Sequence, residues 1–443
     1  MTVLAAARAR LRATTFHRRI GWVRRIQGLA IEAEGMAAEV GALCRIVPRE
    51  PRPGQGGVLA EVAGLRPGCV TLLAYGDLHG LTAGAEVHAL GHRSGIPVGP
   101  GLLGRVIDAF GEPLDGRPLE RVTLGQALYP PPLNPMTRPP VRGVLETGVR
   151  AIDALLTLGR GQRVGIFAGS GVGKSSLLGM MARHVQADVS VIALVGERGR
   201  EVRDFIARHL GPEGLARSVV VAASSDQPAL ARVRAAHAAV AIARHFADGG
   251  RDVLLTIDSM TRLAMARREI GLAVGEPATA RGYTPSVFAE LPQLCERCGT
   301  FASGGSVTAL LTVLVEGDDL SDPVADSLRA ILDGHVVLSR DLAQQGHYPA
   351  IDVLASASRL LPELAAPGER ALAAQAVRRL ALLERHRAMV EIGAYTKGSQ
   401  PELDTALLLQ PALRAWLRQD AGGVPRAEAL RALAQALQAK GGT

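Results

Sequence analysis

Arg163-Val164-Gly165-Ile166-Phe167-Ala168-Gly169-Ser170-Gly171-Val172-Gly173-Lys174-Ser175-Ser176 decides how the middle of this chain folds. The stretch from Arg163 to Ala168 reads as a short apolar strand, and Ser176 to His184 continues as a helix. Between them, glycines let successive backbone N–H groups curl around phosphate oxygens with no Cβ in the way. The helix behind the loop adds its free N–H groups and the positive end of its dipole. Strand, loop and helix in that order make the pattern a P-loop rather than a chance Gly-rich turn. Gly169, Ser170, Gly171, Val172, Gly173, Lys174, Ser175 and Ser176 are the expected cradle for ATP, with Lys174 on the outer phosphates and the Ser175 hydroxyl on Mg²⁺. The loop opens with Ala168 where the strict pattern has Gly, which a backbone at negative φ tolerates.

The lysine itself carries a second argument. Of 50 basic residues only Lys174, Lys397 and Lys440 are lysine. A chain that replaces Lys with Arg almost everywhere keeps it where a slim ammonium must reach between phosphates, a job the guanidinium fork does poorly.

The 443 residues suffice for two to four domains, and 47% hydrophobic with 21% charged residues describe a globular chain. No apolar run approaches the roughly 18–20 residues of a membrane span, and no apolar stretch follows Arg8, Arg10 and Arg12 to make a secretory signal. Four scattered cysteines make no disulfide framework. A cytoplasmic protein is expected. The net charge of +8 is modest for this length, and with aromatics at 3% no basic stretch interleaves with stacking side chains, so a nucleic-acid partner is not expected.

Texture along the chain predicts a multidomain α/β architecture. Residues 1–19 carry a short basic helix spanning 3–13. Residues 20–95 alternate short aliphatic runs (Gly21–Ile26, Ala30–Glu34, Leu43–Val47, Val58–Val62, Val70–Ala74, Glu86–Leu90) with Gly/Pro turns, the pattern of a β-barrel or sandwich. Residues 96–147 are Pro- and Gly-rich and read as a linker entering the core. From 148 to 360, apolar runs alternate with helical stretches, as in a parallel sheet covered by helices. Residues 361–443 turn helical, with helices expected over Ala371–Ile392, Leu403–Leu417 and Arg426–Ala439.

Two carboxylates complete the candidate site. The run Val253 to Asp258 is a buried strand ending in Asp258, which points into the crevice where parallel sheets bind ligands and would hold a Mg²⁺-bound water. Val189 to Val195 is another such strand, followed by Gly196-Glu197-Arg198-Gly199-Arg200-Glu201. Glu197 is placed to orient an attacking water. On local pattern alone, Glu201, or an ion pair of Glu197 with Arg198, competes with that assignment. Cys295 and Cys298 form a lone C-x-x-C in a helical stretch, read as two thiols on one helical face rather than a zinc site.

Together these residues resemble the hexameric rotary-type ATPases, and within them the ATPases of flagellar and virulence type III secretion. The phrases that carry the resemblance are Arg150-Ala151-Ile152-Asp153, the P-loop, Gly196 to Val202, Glu316-Gly317-Asp318-Asp319, Leu332-Asp333-Gly334-His335 and His347-Tyr348-Pro349-Ala350-Ile351-Asp352. The resemblance implies an N-terminal β-barrel, a RecA-like P-loop core and a C-terminal helical domain, assembled as a homohexamer. It implies that Glu197 polarises the attacking water with Arg198 near the γ-phosphate, that Tyr348 stacks on adenine, and that Arg359 is the finger reaching a neighbouring subunit's site. Partners follow from it too: a stator-like regulatory dimer at the N-terminus, a coiled-coil stalk in the pore, and an export gate with chaperone–cargo complexes at the cytoplasmic face of the inner membrane.

Type III protein export, in flagellar or virulence service, competes with three other functions on that core. Gly282 to Ala289 favours flagellar export, whereas Ser225 to Leu230 and Leu314 to Gly317 lean toward a virulence system. A proton-driven synthase subunit would carry an acidic loop where this chain has Gly393-Ala394-Tyr395-Thr396-Lys397-Gly398. A non-catalytic ring subunit would lack Glu197, and an RNA-translocating helicase would need a stacking platform on its barrel. Flagellar protein export driven by ATP hydrolysis is the reading adopted.

Overall fold

The computed structural model describes residues 20–438 except 51–55, 92–94, 316, 318 and 421. The expected helix within 1–19, two residues of the Glu316–Asp319 phrase and the expected helix end at Ala439 lie outside the described residues. Six short strands close on themselves in the order Ile20–Gln27, Ala30–Glu34, Cys69–Ala74, Val58–Arg66, Leu43–Val47, Glu86–Gly91. Alternate residues of each strand face inward, so Val23, Ile31, Ile46, Val62, Leu72 and Val87 fill the interior, while most of their neighbours are at least partly exposed. Closure leaves no strand edge unpaired. This is a barrel.

Residues 96–147 are more built than their composition suggests. Gly95–Val98 pairs antiparallel with Thr123–Ala127, and Arg105–Ile107 joins the central sheet as a parallel edge strand beside Ser218–Ala223. Arg105 forks onto Asp115 (2.6 and 2.7 Å), so the turn after this strand is tied back to it. Prolines mark the turns, while the pairing comes from partners distant in sequence.

The central sheet runs Ile351–Ser358, Gly334–Leu338, Arg163–Ala168, Ser306–Leu314, Asp252–Asp258, Val189–Val195, Ser218–Ala223, Arg105–Ile107. All neighbouring pairs are parallel except the first, where Ile351–Ser358 returns antiparallel. Both faces are covered. Val191, Ala193 and Val195 pack toward helices Ala229–Asp248, Met260–Ala273 and Pro285–Cys295. Ile192 and Leu194 pack toward the P-loop helix Lys174–His184 and the C-terminal helices Pro401–Leu417 and Arg426–Gln438. Burial on both faces explains why these strands read as largely apolar runs. The C-terminal unit is three helices, Pro367–Glu391, Pro401–Leu417 and Arg426–Gln438. Among the described residues no helix is long and apolar enough to cross a membrane.

One sequence reading is corrected by helix ends. Cys295 is the last residue of its helix and Cys298 lies in the turn beyond it, so the two thiols do not share a helical face. Both are buried and unpaired, and burial pushes the Cys298 thiol up to about 12.

The P-loop helix sits unusually close to the segment Phe205–Leu210, wound with π-type hydrogen bonds. A Cβ on Gly179 would stand 2.6 Å from both the Cβ and the carbonyl oxygen of His209. Gly179→Ala is therefore expected to lower stability by about 1–3 kcal/mol, because main chain rather than a flexible side-chain tip must yield. Denaturant unfolding of the two proteins checks this, and equal midpoints would mean that the segment moves freely.

Candidate functional site

Parallel strands deliver their carboxyl ends to one rim of the sheet, and the loops leaving that rim converge. The P-loop leaves the strand Arg163–Ala168, Asp258 ends the strand two places away, and Glu197 follows the next one, Val189–Val195. Gly171 and Gly173 take φ of +78° and +93°, left-handed conformations that side chains resist, and so curl the loop. Gly173 is the N-cap of the helix Lys174–His184 and brings no capping side chain, which leaves the helix's first N–H groups facing the loop's concavity.

Within that rim the structure brings Lys174, Asp258 and Glu197 together. The Lys174 ammonium hydrogen-bonds Asp258 Oδ1 and lies 3.6 Å from Glu197 Oε1. All three side chains are largely shielded from water. Asp258 also accepts from Thr312 Oγ1 at 2.8 Å, on the neighbouring strand Ser306–Leu314. Glu197 Oε1 is buried and has no hydrogen-bond partner. Burial pushes the Glu197 carboxyl up to about 7, against the pull of the Lys174 ammonium and with help from the Asp258 carboxylate. Arg262 packs its stem against the backbone of Gly196 and adds positive potential at Glu197.

Ser175 lies in the first turn of the P-loop helix. Its hydroxyl and the Asp258 carboxylate are hard oxygen donors, and the unpartnered Glu197 oxygen marks a buried place where a further polar species is wanted. These residues fit a hydrated Mg²⁺ beside a triphosphate. The Tyr348 ring closes the other side of the loop: a Cβ on Gly173 would lie 3.3 Å from it. Tyr348 is nonetheless 46% exposed.

Two expected site residues are elsewhere. Arg198 points outward, its side chain 78% exposed and 3.8 Å from Glu201. Arg359 is exposed and follows Ile351–Ser358, the antiparallel edge strand. Its N–H bonds the carbonyl of Asp333, next to the residue that starts the strand Gly334–Leu338. The P-loop leaves the opposite end of that strand's neighbour, on the order of 13 Å away along the strand direction. Lys174 and Arg359 of one chain therefore start from opposite ends of the sheet. Thr312 and Arg262 were missing from the sequence reading. Thr312 is a polar residue inside an apolar strand with nothing local to mark it, whereas Arg262, in the first turn after Asp258, was within reach.

A buried carboxyl held near 7 has a measurable consequence. Unfolded, Glu197 titrates near 4.5; folded, near 7. Between those values the native protein holds the extra proton, so this residue's contribution to stability falls as pH rises from 4.5 to 7. Glu197→Gln is expected to raise the thermal midpoint of the nucleotide-free protein more at pH 8 than at pH 5. Equal shifts at both pH values would place the carboxyl's folded value in the ordinary range.

Comparison with known proteins adds three family matches. The nucleotide-binding domain of the ATP synthase alpha/beta family matches residues 148–358. The beta-barrel domain of the same family matches residues 23–91, and the T3SS EscN ATPase C-terminal domain matches residues 365–435. A flagellum-specific ATP synthase of Salmonella typhimurium is 52% identical over 91% of this chain and 90% of its own length. A type 3 secretion system ATPase of Xanthomonas euvesicatoria is 47% identical over 91% of this chain and 90% of its own. The assembled ATPase EscN of enteropathogenic E. coli, solved in complex with its central stalk EscO, superposes with a TM-score of 0.86 at 39% identity, covering 94% of this chain and all of that one. With its barrel, its P-loop core and its helical C-terminal unit each matched in order, this chain belongs to the ATP synthase alpha/beta family, on the branch of the type III secretion ATPases.

Proposed function

We propose that this chain hydrolyses Mg·ATP to energise protein export through a flagellar type III apparatus, releasing export substrates from chaperones and unfolding them. One observation carries the catalytic half of the reading: a buried Lys174 ammonium shared between Asp258 and Glu197 at the mouth of a P-loop. In this reading the loop's N–H groups from Gly169 to Ser176 hold the phosphates and Lys174 leaves its carboxylates for the outer phosphate oxygens. Ser175 and Asp258 would hold Mg²⁺, the latter through water, and the metal would supply neutralisation of phosphate charge. Freed from Lys174, Glu197 orients the water that attacks the γ-phosphorus and accepts hydrogen bonds from it; the P–O bond to ADP breaks as the new one forms. A raised carboxyl pKa makes Glu197 a better acceptor than an ordinary surface glutamate. Tyr348 stacks on adenine.

Arg198 and Arg359 lie away from this cluster, which supports a site completed by a second subunit. A ring of six copies would set each Arg359 against a neighbour's γ-phosphate, so hydrolysis would depend on assembly. The assembled state and the central stalk of the EscN relative support a ring with a stalk in its pore. A stator-like dimer at the N-terminus, and chaperone–cargo complexes at an export gate on the cytoplasmic face of the inner membrane, complete the proposal. The flagellar assignment leans on the 52% identical flagellum-specific relative; the match of residues 365–435 to the EscN C-terminal domain favours injectisome service as the second reading.

A strain whose own copy carries Lys174→Ala is expected to lose swimming and extracellular flagellin together. Normal swimming with loss of effector secretion would move the chain to an injectisome, and a defect confined to ATP synthesis would move it to the synthase. With purified protein, Arg359→Ala is expected to bind nucleotide yet turn over little, and mixing it with Lys174→Ala protein should restore part of the activity. No recovery despite ring assembly would overturn an arginine supplied in trans.

A further inference from the structure

The segment joining the last two helices crosses the core beside Tyr348, and one side chain in it is bonded at every polar position. Gln419 Oε1 accepts from the N–H of Arg150 at 2.8 Å. Its Nε2 donates to the carbonyls of Gly148 at 2.7 Å and Gly422 at 2.8 Å. Its own main-chain N–H donates to the carbonyl of Tyr348 at 2.9 Å. The Arg150 N–H is the first of the helix Arg150–Leu155, whose N-cap Val149 brings no side-chain acceptor. A glutamine from 269 residues further along the chain supplies the missing cap.

The contact is close and leaves little slack. Gly148 has φ +77°, and a Cβ there would lie 2.7 Å from the Cβ of His184 and 3.3 Å from the Cα of Gly423. The Val424 N–H bonds the Gly148 carbonyl at 3.0 Å, so that oxygen receives two donors from the crossing segment. Three pieces of chain therefore meet at Gln419: the start of the helix Arg150–Leu155, the crossing segment, and the main chain of Tyr348. Tyr348 in turn sets its ring against Gly173.

We propose that Gln419 is a positioning residue for the base-binding face of the nucleotide site, fixing the height of the Tyr348 ring over the P-loop. This rests on the reading of Tyr348 as the residue that stacks on the base. Gln419 touches neither phosphate-binding main chain nor the Lys174–Asp258–Glu197 cluster, so its influence falls on the base and spares the triphosphate. The last helix has a separate anchor that does not involve Tyr348: Arg426 forks onto Glu369 at 2.7 and 2.8 Å and donates to the Asp153 carbonyl at 3.2 Å.

The test compares dissociation constants for Mg·ATP and for Mg·tripolyphosphate, which has the phosphates and no base, in the full chain. Gln419→Ala is expected to weaken ATP roughly five- to tenfold, the scale of one or two lost hydrogen bonds, and to leave tripolyphosphate within about twofold. Gln419→Glu keeps the acceptor for Arg150 and turns a carboxylate on two carbonyls, so it should shift the same ratio the same way. Arg426→Ala, which loosens the helix without freeing Tyr348, is expected to lower the thermal midpoint while leaving the ratio unchanged. Equal weakening of both ligands by the Gln419 variants, or a lower midpoint with no change in the ratio, would overturn the proposal. Tyr348→Ala separates the two possible failures. If it also leaves the ratio unmoved, the stacking reading falls and the positioning role of Gln419 with it; if it moves the ratio and Gln419→Ala does not, the role of Gln419 alone is wrong.

Discussion

The site is organised around one buried cation between two buried carboxylates. An ammonium of this kind is costly to desolvate, and so are Asp258 and Glu197; each is tolerable only because the others are there. The three reach one another from three different strand-to-helix junctions, so the strand order of the sheet, which brings the strands' carboxyl ends to one rim, is a precondition for the charges to balance. The same arrangement is poised rather than finished. Lys174 is hydrogen-bonded to Asp258 but stands 3.6 Å from Glu197, whose Oε1 is left without a partner. A phosphate entering the loop offers the lysine a stronger partner, and releasing it returns negative charge to the two carboxylates just where a hydrated cation and a water would be received.

Around that centre the fold divides its labour by sheet end. Groups that would meet phosphate and base sit at the carboxyl rim, while Arg359 is placed at the amino end by the antiparallel strand at the sheet's far edge. In the proposed reading, that reversal is what lets a chain offer the P-loop half of a site on one side and Arg359 on another. A ring is the economical closure of such a head-to-tail surface. The barrel and the C-terminal helices pack outside this axis, and the crossing segment at Gln419 is where the helical unit makes main-chain contact with the nucleotide rim.

Much of this was legible in the sequence where information is local. The P-loop declares itself because backbone curvature needs Gly171 and Gly173 at positive φ, a demand that few residues other than glycine meet. Strands such as Val189–Val195 were readable as largely apolar runs because both faces are buried, and the barrel strands as short alternating ones because only one face is. Reading failed where partners are distant. The Pro/Gly texture of 96–147 hid an edge strand, since Arg105–Ile107 is a strand only because Ser218–Ala223 lies beside it. The C-x-x-C spacing implied a shared helical face that the helix end at Cys295 removes.

By itself, then, the sequence determined the nucleotide loop, the order of barrel, core and helical unit, and the residue types able to act on a phosphate, because each depends on conformational preferences and burial patterns within a few neighbouring residues. Tertiary structure decided which of those residues share a site. It placed Glu197 rather than Glu201 within reach of Lys174, put Thr312 behind Asp258, sent Arg198 outward and Arg359 to the opposite end of the sheet, and gave Gln419 four main-chain partners. These are distances between chain segments tens to hundreds of residues apart. Strand order and closure of the core set them, and no local preference encodes them.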